Sequence, residues 1–511
     1  MIPAIELLER GSGRRHATGH RAALLAAALA ALGACAAGTP GIAGRPGAPA
    51  APNRVWDPPR AARTPDSLAP AAALLPAPLV ARASALTLAD VVDLALQNNP
   101  ATRASWAQAR AAAAAYGVER ASWLPRIDGA VNATRSLQPS ANASNPNAGP
   151  LGRPRSQLVP SLSINYLIFD LGGRSGSVEA ARQNAFALDF THNAAVKNTV
   201  LQVEQAYFAY VGTRALLVAQ RTSVEEAQAS FDAARKRDSV GLATIADVLQ
   251  ARTALAQARL TLQTSEAQLQ TARGALALAL GVSPTVPYDV TARPEDVPVG
   301  EVTASVDSLI DGALRTRPEL QAAYASAAAA RASVRVARAA ALPSLALTGV
   351  GGYTNSSIDA LTGRNYSIGL GLQIPLFSGG ARSYEIARAE ALADAAAAQA
   401  QSLRQNVVND VFTAYYDLRT ATQQVRTSDD LLASATASLG AAQARYTGGV
   451  GSILDLLTAQ AALATARAQQ AQARWVWAQQ LALLARASGA LDAHGAAGLP
   501  VARDTTLSPL P

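Results

Sequence analysis

The chain has 511 residues, a formal net charge of +8 and a hydrophobic fraction of 50%. Its one cysteine, Cys35, excludes an intramolecular disulfide and any site built from several cysteines, and its four histidines are too dispersed for a ligand set. The arginines are scattered among acidic residues along helical stretches, which is typical of solvated helix faces and argues against nucleic-acid binding. Because no phosphate loop, nucleophile elbow or zinc-protease pattern is present, the sequence predicts no enzyme, no cofactor and no metal.

The first 34 residues have the pattern of a secretory signal peptide. Arginines precede the apolar run 22–32, which is too short for a transmembrane helix of roughly 20 residues. The run ends in Leu32-Gly33-Ala34-Cys35, which resembles the lipobox of a bacterial lipoprotein, so that Cys35 would be the first mature residue and would carry the lipid. The alternative is an incidental or buried cysteine. Residues 35–82, rich in Pro, Ala and Gly, are predicted to be a lipid-anchored tether.

The body of the chain is a tandem duplication. Equivalent residues recur at a spacing of 218 and, further along, at a spacing of 208. The pairs are Pro100 and Pro318, Pro125 and Pro343, Tyr207 and Tyr415, Gly241 and Gly449, and Asp247 and Asp455. The spacing changes between Pro125 and Phe169, where the first copy has the longer loop. We therefore assign residues 83–300 to the first repeat, 301–491 to the second and 492–511 to a C-terminal tail.

Each repeat is predicted to contain a β-hairpin. Apolar and polar residues alternate over residues 158–168 and 366–376, while the partner strands near 126–134 and 344–353 alternate more weakly. Strands of about 10 residues with this pattern have the length of transmembrane barrel strands, although a half-buried hairpin on a soluble core would also fit. Four strands cannot close a barrel alone and open edges cannot face lipid, so a membrane protein would need three chains and twelve strands.

Long helices precede and follow each hairpin. In the first repeat we predict an opening helix over 88–123, a long helix from Gly172 to Val240 and a returning helix over 245–280, with a break at 281–284. The long helix would extend about 100 Å and each shorter helix about 54 Å. Stacked end to end, the two shorter helices would match the long one. This predicts a tall layer of paired helices below the strands.

The returning helices carry a heptad pattern with apolar and small residues at its seam, which predicts tight antiparallel packing. The seam of the first is Val248, Ala251, Leu255, Ala258, Leu262, Ser265, Leu269, Ala272 and Leu276; that of the second is Leu456, Ala459, Leu463, Ala466, Gln470, Ala473, Trp477 and Leu484. A periodic apolar stripe of this kind indicates core packing and not a ligand site.

In their order and spacing these features resemble the outer-membrane factor (TolC-like) family, in particular its lipoprotein branch attached to efflux pumps. The resemblance covers residues 86–491 and rests on Asn99-Pro100, on a Leu-Pro before each first strand, on the glycine-containing tips and on the element Phe169-Asp170-Leu171-Gly172 with its copy Phe377-Ser378-Gly379-Gly380. It implies a mainly α protein with a transmembrane β part. Three tandem-duplicated chains, each giving four strands, would form a 12-stranded β-barrel on a long α-helical tunnel.

The resemblance also implies partners and a location. The homotrimer would lie in outer-membrane lipid of a Gram-negative bacterium, with its helical part in the periplasm. A periplasmic adaptor protein and a proton-driven inner-membrane pump would be its partners. The tips expected to contact the adaptor contain Val240, Gly241 and Leu242 in the first repeat, and Gly448 and Gly449 in the second.

Two aspartates are candidates for a periplasmic gate. Asp455 matches a gate aspartate of the family, and Asp247 occupies the corresponding place in the other tip. Three copies of Asp455 around one axis would form an acidic ring, which sets cation selectivity at a constriction. Gly451 and Thr458 stand where family members can carry a basic and a second acidic gate residue, so the sequence leaves open whether the full ionic latch is absent or differently built. The alternative is that Asp455 caps a helix start, where a carboxylate is favourable anyway.

We therefore expect the outer-membrane channel of a tripartite efflux system, passively conducting drugs or metal ions. A protein-secretion duct of the same family is one alternative. A lipid-anchored periplasmic coiled-coil scaffold without a pore is another, although a scaffold has no need for two sets of alternating strands. A periplasmic hydrolase would require a catalytic cluster that the sequence lacks.

Overall fold

A computed structural model describes residues 85–137, 154–291, 299–357, 361–492 and 501–503. The predicted signal peptide 1–34, Cys35 and the tether 35–82 lie outside the described residues, as does most of the tail 492–511.

The first repeat runs helix, helix, strand, strand, long helix, helix. Its elements are α1 (Leu88–Asn98), α2 (Pro100–Ala121), β1 (Arg126–Ser136), β2 (Arg155–Phe169), α3 (Gly173–Ser239) and α4 (Ile245–Leu280). A short strand, β3 (Gly300–Val302), precedes the second repeat.

The second repeat has the same elements in the same order. They are α5 (Val306–Thr316), α6 (Pro318–Ala339), β4 (Ser344–Ser356), β5 (Gly363–Gln373), α7 (Ala381–Thr447) and α8 (Ile453–Ser488), followed by β6 (Val501–Arg503). The four helices of each repeat have 11, 22, 67 and 36 residues in both copies. The hairpins also share one register, since Ile127 opposes Ile164 and the equivalent Leu345 opposes Leu372. The tandem duplication is confirmed.

The four long strands form one antiparallel sheet in the order β1-β2-β4-β5, while β3 pairs with β6 separately. The two hairpins join through β2 and β4, so β1 and β5 are the edges. Strand β5 ends at Gln373 and not at Leu376 as the alternation suggested. Pro375 follows within two residues, and a proline has no N–H to donate to a β-ladder.

The prediction of one unbroken opening helix is wrong in both repeats. The chain leaves the helix at Asn99 and at Arg317, whose ψ angles are 123° and 119°. Both residues precede a proline, whose ring disfavours the helical conformation of the residue before it. The proline then begins the next helix, where its missing N–H costs nothing. At the first break the Asn99 side chain also accepts a hydrogen bond from Ala101 N at 2.8 Å.

The helices form a layer in which α3 is the central element. It packs against α2 and α4 of its own repeat and against α6 and α8 of the other, whereas α7 packs against α5, α6 and α8. The seam predicted for α8 is confirmed, because all eight of its residues are buried. Trp477, 1% exposed, donates from Nε1 to Thr422 Oγ1 at 3.0 Å.

The close approach of α8 to α3 depends on Gly212. Trp475 lies directly over this glycine, and a Cβ added at position 212 would overlap its ring. Gly440 on α7 is the opposite case, with open space around its Cα. Its counterpart on α3, Asp232, is exposed although α3 is covered on both flanks. A side chain is therefore excluded at position 212 and accommodated at position 440.

We expect Gly212→Ala to displace Trp475 and to destabilise the protein by about 1–3 kcal/mol, the usual cost of overpacking. The matched variant Gly440→Ala should be neutral or slightly stabilising, because alanine is the better helix former. Thermal unfolding of both purified variants, followed by tryptophan fluorescence, measures the difference. Equal melting temperatures for the two variants would contradict this account of the α3–α8 contact.

Candidate conduction path and helical tips

The four-stranded sheet has one apolar and one polar face. The apolar face contains Ile127, Val131, Leu158, Leu162, Ile164, Tyr166, Leu345, Leu347, Tyr366, Ile368, Leu370 and Leu372, which the register places on one side. Along β2 its members Leu158 and Leu162 are exposed, while the intervening Val159 and Ser161 are half-buried. A sheet in a soluble protein buries its apolar face instead. The exposed apolar face indicates a surface that meets lipid.

The polar face presents mainly amides and hydroxyls. Its members include Asn132, Thr134, Gln157, Ser161, Ser163, Asn165, Thr348, Thr354, Asn365, Ser367 and Gln373. On the described strands its charged residues are Arg126, Asp128 and Arg155, and Arg126 Nε lies 2.9 Å from Asp128 Oδ2. This face can line a water-filled path without strongly selecting for charge.

A buried arginine joins the strands to the helices in the first repeat. Arg174 Nη1 donates to the carbonyls of Ser122 (3.2 Å) and Leu167 (2.7 Å), and Nη2 donates to Ile168 O at 3.2 Å. Its guanidinium carbon lies 4.0 Å from the centroid of the Trp123 ring. Hydrogen bonds to three carbonyls and an aromatic face fix the angle between β2 and α3. Sequence reasoning missed this contact, although an arginine follows the Phe-x-x-Gly element in both repeats.

A charged cluster ties the two repeats together within the helical layer. Arg486 Nε donates to Asn198 Oδ1 at 2.9 Å and its guanidinium pairs with Glu319. Arg317 Nη1 lies 2.9 Å from Asp410 Oδ2. Burial, and then the nearby Arg317, lower the pKa of Arg486 to about 10, so this side chain still carries its charge at neutral pH. Four helices therefore meet at one ion-pair network, which the sequence pattern did not reveal.

Both helical tips are built on capping boxes. At the first tip, Thr244 N donates to Asp247 Oδ2 at 2.9 Å and Asp247 N donates to Thr244 Oγ1 at 3.3 Å. At the second tip, Ser452 N donates to Asp455 Oδ2 at 3.3 Å and Asp455 N donates to Ser452 Oγ at 3.1 Å. Each aspartate thus holds the first turn of its returning helix.

The two aspartates therefore have a structural role in the single chain. Each is the third residue of its helix and satisfies backbone groups that the helix leaves free. The gate role was inferred from the resemblance and stays a prediction. Gly451 N donates to Arg445 O at 3.0 Å within the second turn, and Thr458 lies exposed on α8.

The tips turn where the glycines were predicted. Gly241 and Gly449 adopt φ angles of +74° and +76°, which residues with a side chain rarely adopt. Six apolar side chains around the two turns are more than half exposed: Val240, Leu242, Ile245, Leu249, Val450 and Leu454. These six residues, which we term the apolar tip surface, lie at the end of the helices remote from the sheet. A cluster of exposed apolar residues of this kind marks an interaction site.

A contact between the two tips was not predicted. Arg237, near the end of α3, donates from Nη1 to Tyr446 O at 2.8 Å, and its guanidinium carbon lies 4.7 Å from the centroid of the Tyr446 ring. Tyr446 packs with Ala234, Val248 and Leu456 in a small core of its own. The two tips of one chain therefore form a single packed unit.

The parts of the chain that the structure describes contain no group of three or more His, Cys, Asp or Glu residues able to hold a metal ion. Among these same residues, no helix combines the length and the apolar character needed to cross a membrane.

Comparison with known proteins places the chain in one family. The family described as outer membrane efflux protein matches residues 91–282 and 309–490, one match for each repeat. Protein CyaE of Bordetella pertussis is 31% identical over 407 residues, which are 79% of this chain and 84% of that protein. The toluene efflux pump outer membrane protein TtgF of Pseudomonas putida is 28% identical over 393 residues, covering 74% of this chain and 78% of the relative.

The fold agrees with the sequence relationship. A crystal structure of a membrane protein from Pseudomonas aeruginosa superposes with a TM-score of 0.71 at 28% identity, covering 79% of this chain and 92% of that one. The four long strands and the two 67-residue helices lie within the residues that the family matches. The chain belongs to the outer membrane efflux protein family.

Proposed function

We propose that this chain is the passive duct of a small-molecule efflux system and catalyses no reaction, an inner-membrane pump supplying the energy. The chain is an outer-membrane efflux channel whose helical part extends into the periplasm, and its family works as trimers with a periplasmic adaptor and an inner-membrane pump. The observation that carries the proposal is the sheet, which has an exposed apolar face, a polar face and two edges that no other described strand pairs with.

The unpaired edges explain why one chain is incomplete. Lipid offers no partner for the backbone N–H and C=O groups of β1 and β5, so both edges need a second strand. If β5 pairs with β1 of the next chain in the register that joins β2 to β4, Leu372 faces Val131 of that chain and Leu370 faces its Ala133. Apolar residues then oppose apolar residues across this junction between β5 of one chain and β1 of the next, which we term the barrel seam. Three such seams close twelve strands into a barrel.

The helical layer is also incomplete, on the side of α7, the helix that follows β5. Tyr384, Phe412 and Leu431 on α7 are exposed by 78, 50 and 43%. The equivalent residues of α3 are Gly176, Glu204 and Ser223, and all three are buried. The difference arises because α3 has helices on both flanks and α7 on one. A second copy, supplying α2 and α4, would cover the open flank of α7.

Two observations favour small molecules as the cargo. The polar face of the sheet is rich in uncharged amides and hydroxyls, which suits solutes of varied charge. In addition, one relative is named as the outer membrane protein of a toluene efflux pump. A protein-secretion duct of the same family remains the alternative, and transport assays with the partner pump would separate the two. The pore-free scaffold is disfavoured, because it does not need an apolar face exposed to lipid.

The tips are proposed to act as the gate and as the contact with the adaptor. Three copies of Asp455, with Asp247 beside them, would put carboxylates around the axis at the end of the tunnel. The apolar tip surface, which includes Val240 and Leu242, would contact the adaptor through side chains that are 67% and 69% exposed.

We expect the pair Leu372→Cys and Val131→Cys, in a chain whose Cys35 is replaced by alanine, to form disulfides between chains. The transferred register puts the two Cβ atoms opposite each other across the seam, about 4.5–5.5 Å apart. Non-reducing gel electrophoresis should show covalent dimers and trimers. The matched control is Ile164→Cys with Gly349→Cys, which are paired within one chain and should give monomers. Monomers from both pairs would contradict the seam.

We expect Asp455→Gln to raise the resting conductance of the channel in planar bilayers. Glutamine can still complete a capping box but carries no charge, so this variant tests the acidic ring separately from the helix cap. Asp455→Ala loses both and should also destabilise the start of α8 by about 0.3–1.5 kcal/mol.

Asp90→Ala provides the control, since it removes the equivalent capping box of α1, away from the tips. This variant should leave the conductance unchanged. If Asp455→Gln conducts like the unmodified protein while Asp455→Ala leaks, the carboxylate is a cap and not a gate.

We further propose that Cys35 is lipidated and that residues 35–82 are the tether behind it. The proposed lipidation is supported by the apolar run, with small residues at its end, just before the chain's only cysteine. We expect Cys35→Ala to reduce the fraction of protein recovered in outer membranes while trimers still form, because the barrel itself has membrane affinity. Membrane fractionation and electrophoresis without boiling measure both. Complete loss of trimers would contradict this division of roles.

A further inference from the structure

The apolar face of the sheet carries two charged side chains on its described strands, and both are arginines. Arg135 on β1 continues the face formed by Ile127 and Val131. Arg364 on β5 continues the face formed by Tyr366 and Ile368. Both lie at the ends of the strands remote from the helices, and both are exposed.

The end of the apolar face next to the helices differs from the remote end that carries the arginines. Next to the helices it presents Ile127, Leu345 and Leu372. At the remote end Arg364 opposes Tyr353 in the ladder, with Tyr366 two positions along its own strand. Aromatic residues with an apolar body and a polar tip are typical of the boundary between hydrocarbon and headgroups. In the proposed barrel, the two arginines would therefore stand at the headgroup level of the outer leaflet.

Acidic residues do not neutralise this end of the sheet. The remote halves of the described strands contain no Asp or Glu, and the sequence 137–154 between β1 and β2 contains none and adds Arg153. Asp359 is the one acidic residue of the sequence 357–362 between β4 and β5. Arg153 and Asp359 lie outside the described residues. On the described strands, the positive charges of Arg135 and Arg364 therefore have no carboxylate at this end of the sheet to compete with.

Closing the barrel brings the two arginines to one seam. This step rests on the proposed trimer, in which β5 pairs with β1 of the next chain. The register transferred from β2 and β4 puts Arg135 of the next chain opposite Ile368, four residues along the strand from Arg364. The two Cα atoms would then be roughly 14 Å apart, from a rise of about 3.4 Å per residue and a strand spacing of about 4.8 Å. Long arginine side chains on Cα atoms at this separation can reach one large headgroup from both sides.

We propose that Arg364 and Arg135 of the adjacent chain bind the phosphate groups of an outer-leaflet lipid, one site at each of the three seams. A guanidinium donates two parallel hydrogen bonds to a phosphate, and such charge-assisted pairs are strong where water is scarce. The apolar residues below, among them Ile368 and Leu370, contact the acyl chains. The occupant is a lipid with a multiply phosphorylated headgroup, because the site joins an apolar stripe to two phosphate-binding side chains.

The test uses delipidated full-length protein in detergent, to which lipid A with two phosphates is added. Native mass spectrometry counts the lipid molecules retained per trimer. We expect up to three on the unmodified protein, and binding weaker by about tenfold or more after Arg135→Gln with Arg364→Gln, since glutamine carries no charge and cannot donate two parallel charge-assisted hydrogen bonds to a phosphate. Arg155→Gln is the matched control, because this arginine lies at the same end of the sheet on the polar face, and it should leave binding unchanged.

Four further measurements separate the outcomes. Lipid A with one phosphate should bind more weakly than the form with two, and millimolar inorganic phosphate should not displace either, which distinguishes a lipid site from a free-phosphate site. Lysine at both positions should retain part of the binding. Equal retention of both lipid A forms and of neutral phosphatidylcholine by the unmodified trimer would overturn the proposal, whether or not the glutamine variant folds.

Conductance and trimer mass on the same samples keep the two proposals apart. Conducting trimers without phosphate-dependent lipid binding overturn the lipid site alone. A protein that forms neither trimers nor channels overturns the proposed duct, and the seam with it.

Discussion

The backbone hydrogen bonds of two edge strands determine how this protein can exist in a membrane. A chain that places four strands in lipid leaves one row of N–H and C=O groups open on β1 and another on β5. In lipid, these backbone groups can be paired only by the edge strands of another sheet of the same kind. Because the helices continue directly from the strands, the same requirement extends into the helical layer, where α7 has an open flank on the side that β5 leaves open. Membrane insertion and oligomer formation are thus a single requirement here.

Much of this architecture could be predicted from the sequence because the chain contains the same unit twice. The alternation of apolar and polar residues in β1 is weak evidence for a strand by itself. It becomes convincing because β4 repeats it at a constant spacing. The returning helix of the first repeat was placed correctly at 245–280. Thr244 caps its start and Gly281 ends it in the left-handed conformation, and Ser452 and Gly489 do the same in the second repeat. The break at Asn99 could also have been found, since a proline follows it, but the helical periodicity on both sides concealed it.

The parts that could not be predicted depend on side chains brought together from distant positions. Arg174 reads as an ordinary surface arginine until the turn carrying Ser122 and Trp123 is folded against it. The pairing of Arg237 with Tyr446 joins residues 209 positions apart, and no local pattern links them. The aspartates at the tips show a different limit. A carboxylate at the third position of a helix looks the same in sequence whether it caps a turn, repels its symmetry mates around a pore or does both.

The arginine that fastens strand to helix has a mechanical consequence for the whole assembly. Arg382 occupies the equivalent place in the second repeat, but Ala341 stands where the first repeat has Trp123. The contact between the arginine and an aromatic ring is therefore missing there. Around a ring of three chains, rigid and compliant junctions would therefore alternate. Torque applied to the tunnel would be transmitted to the barrel at three points and absorbed at the three between them, so the tunnel could twist while the wall in the membrane keeps its shape.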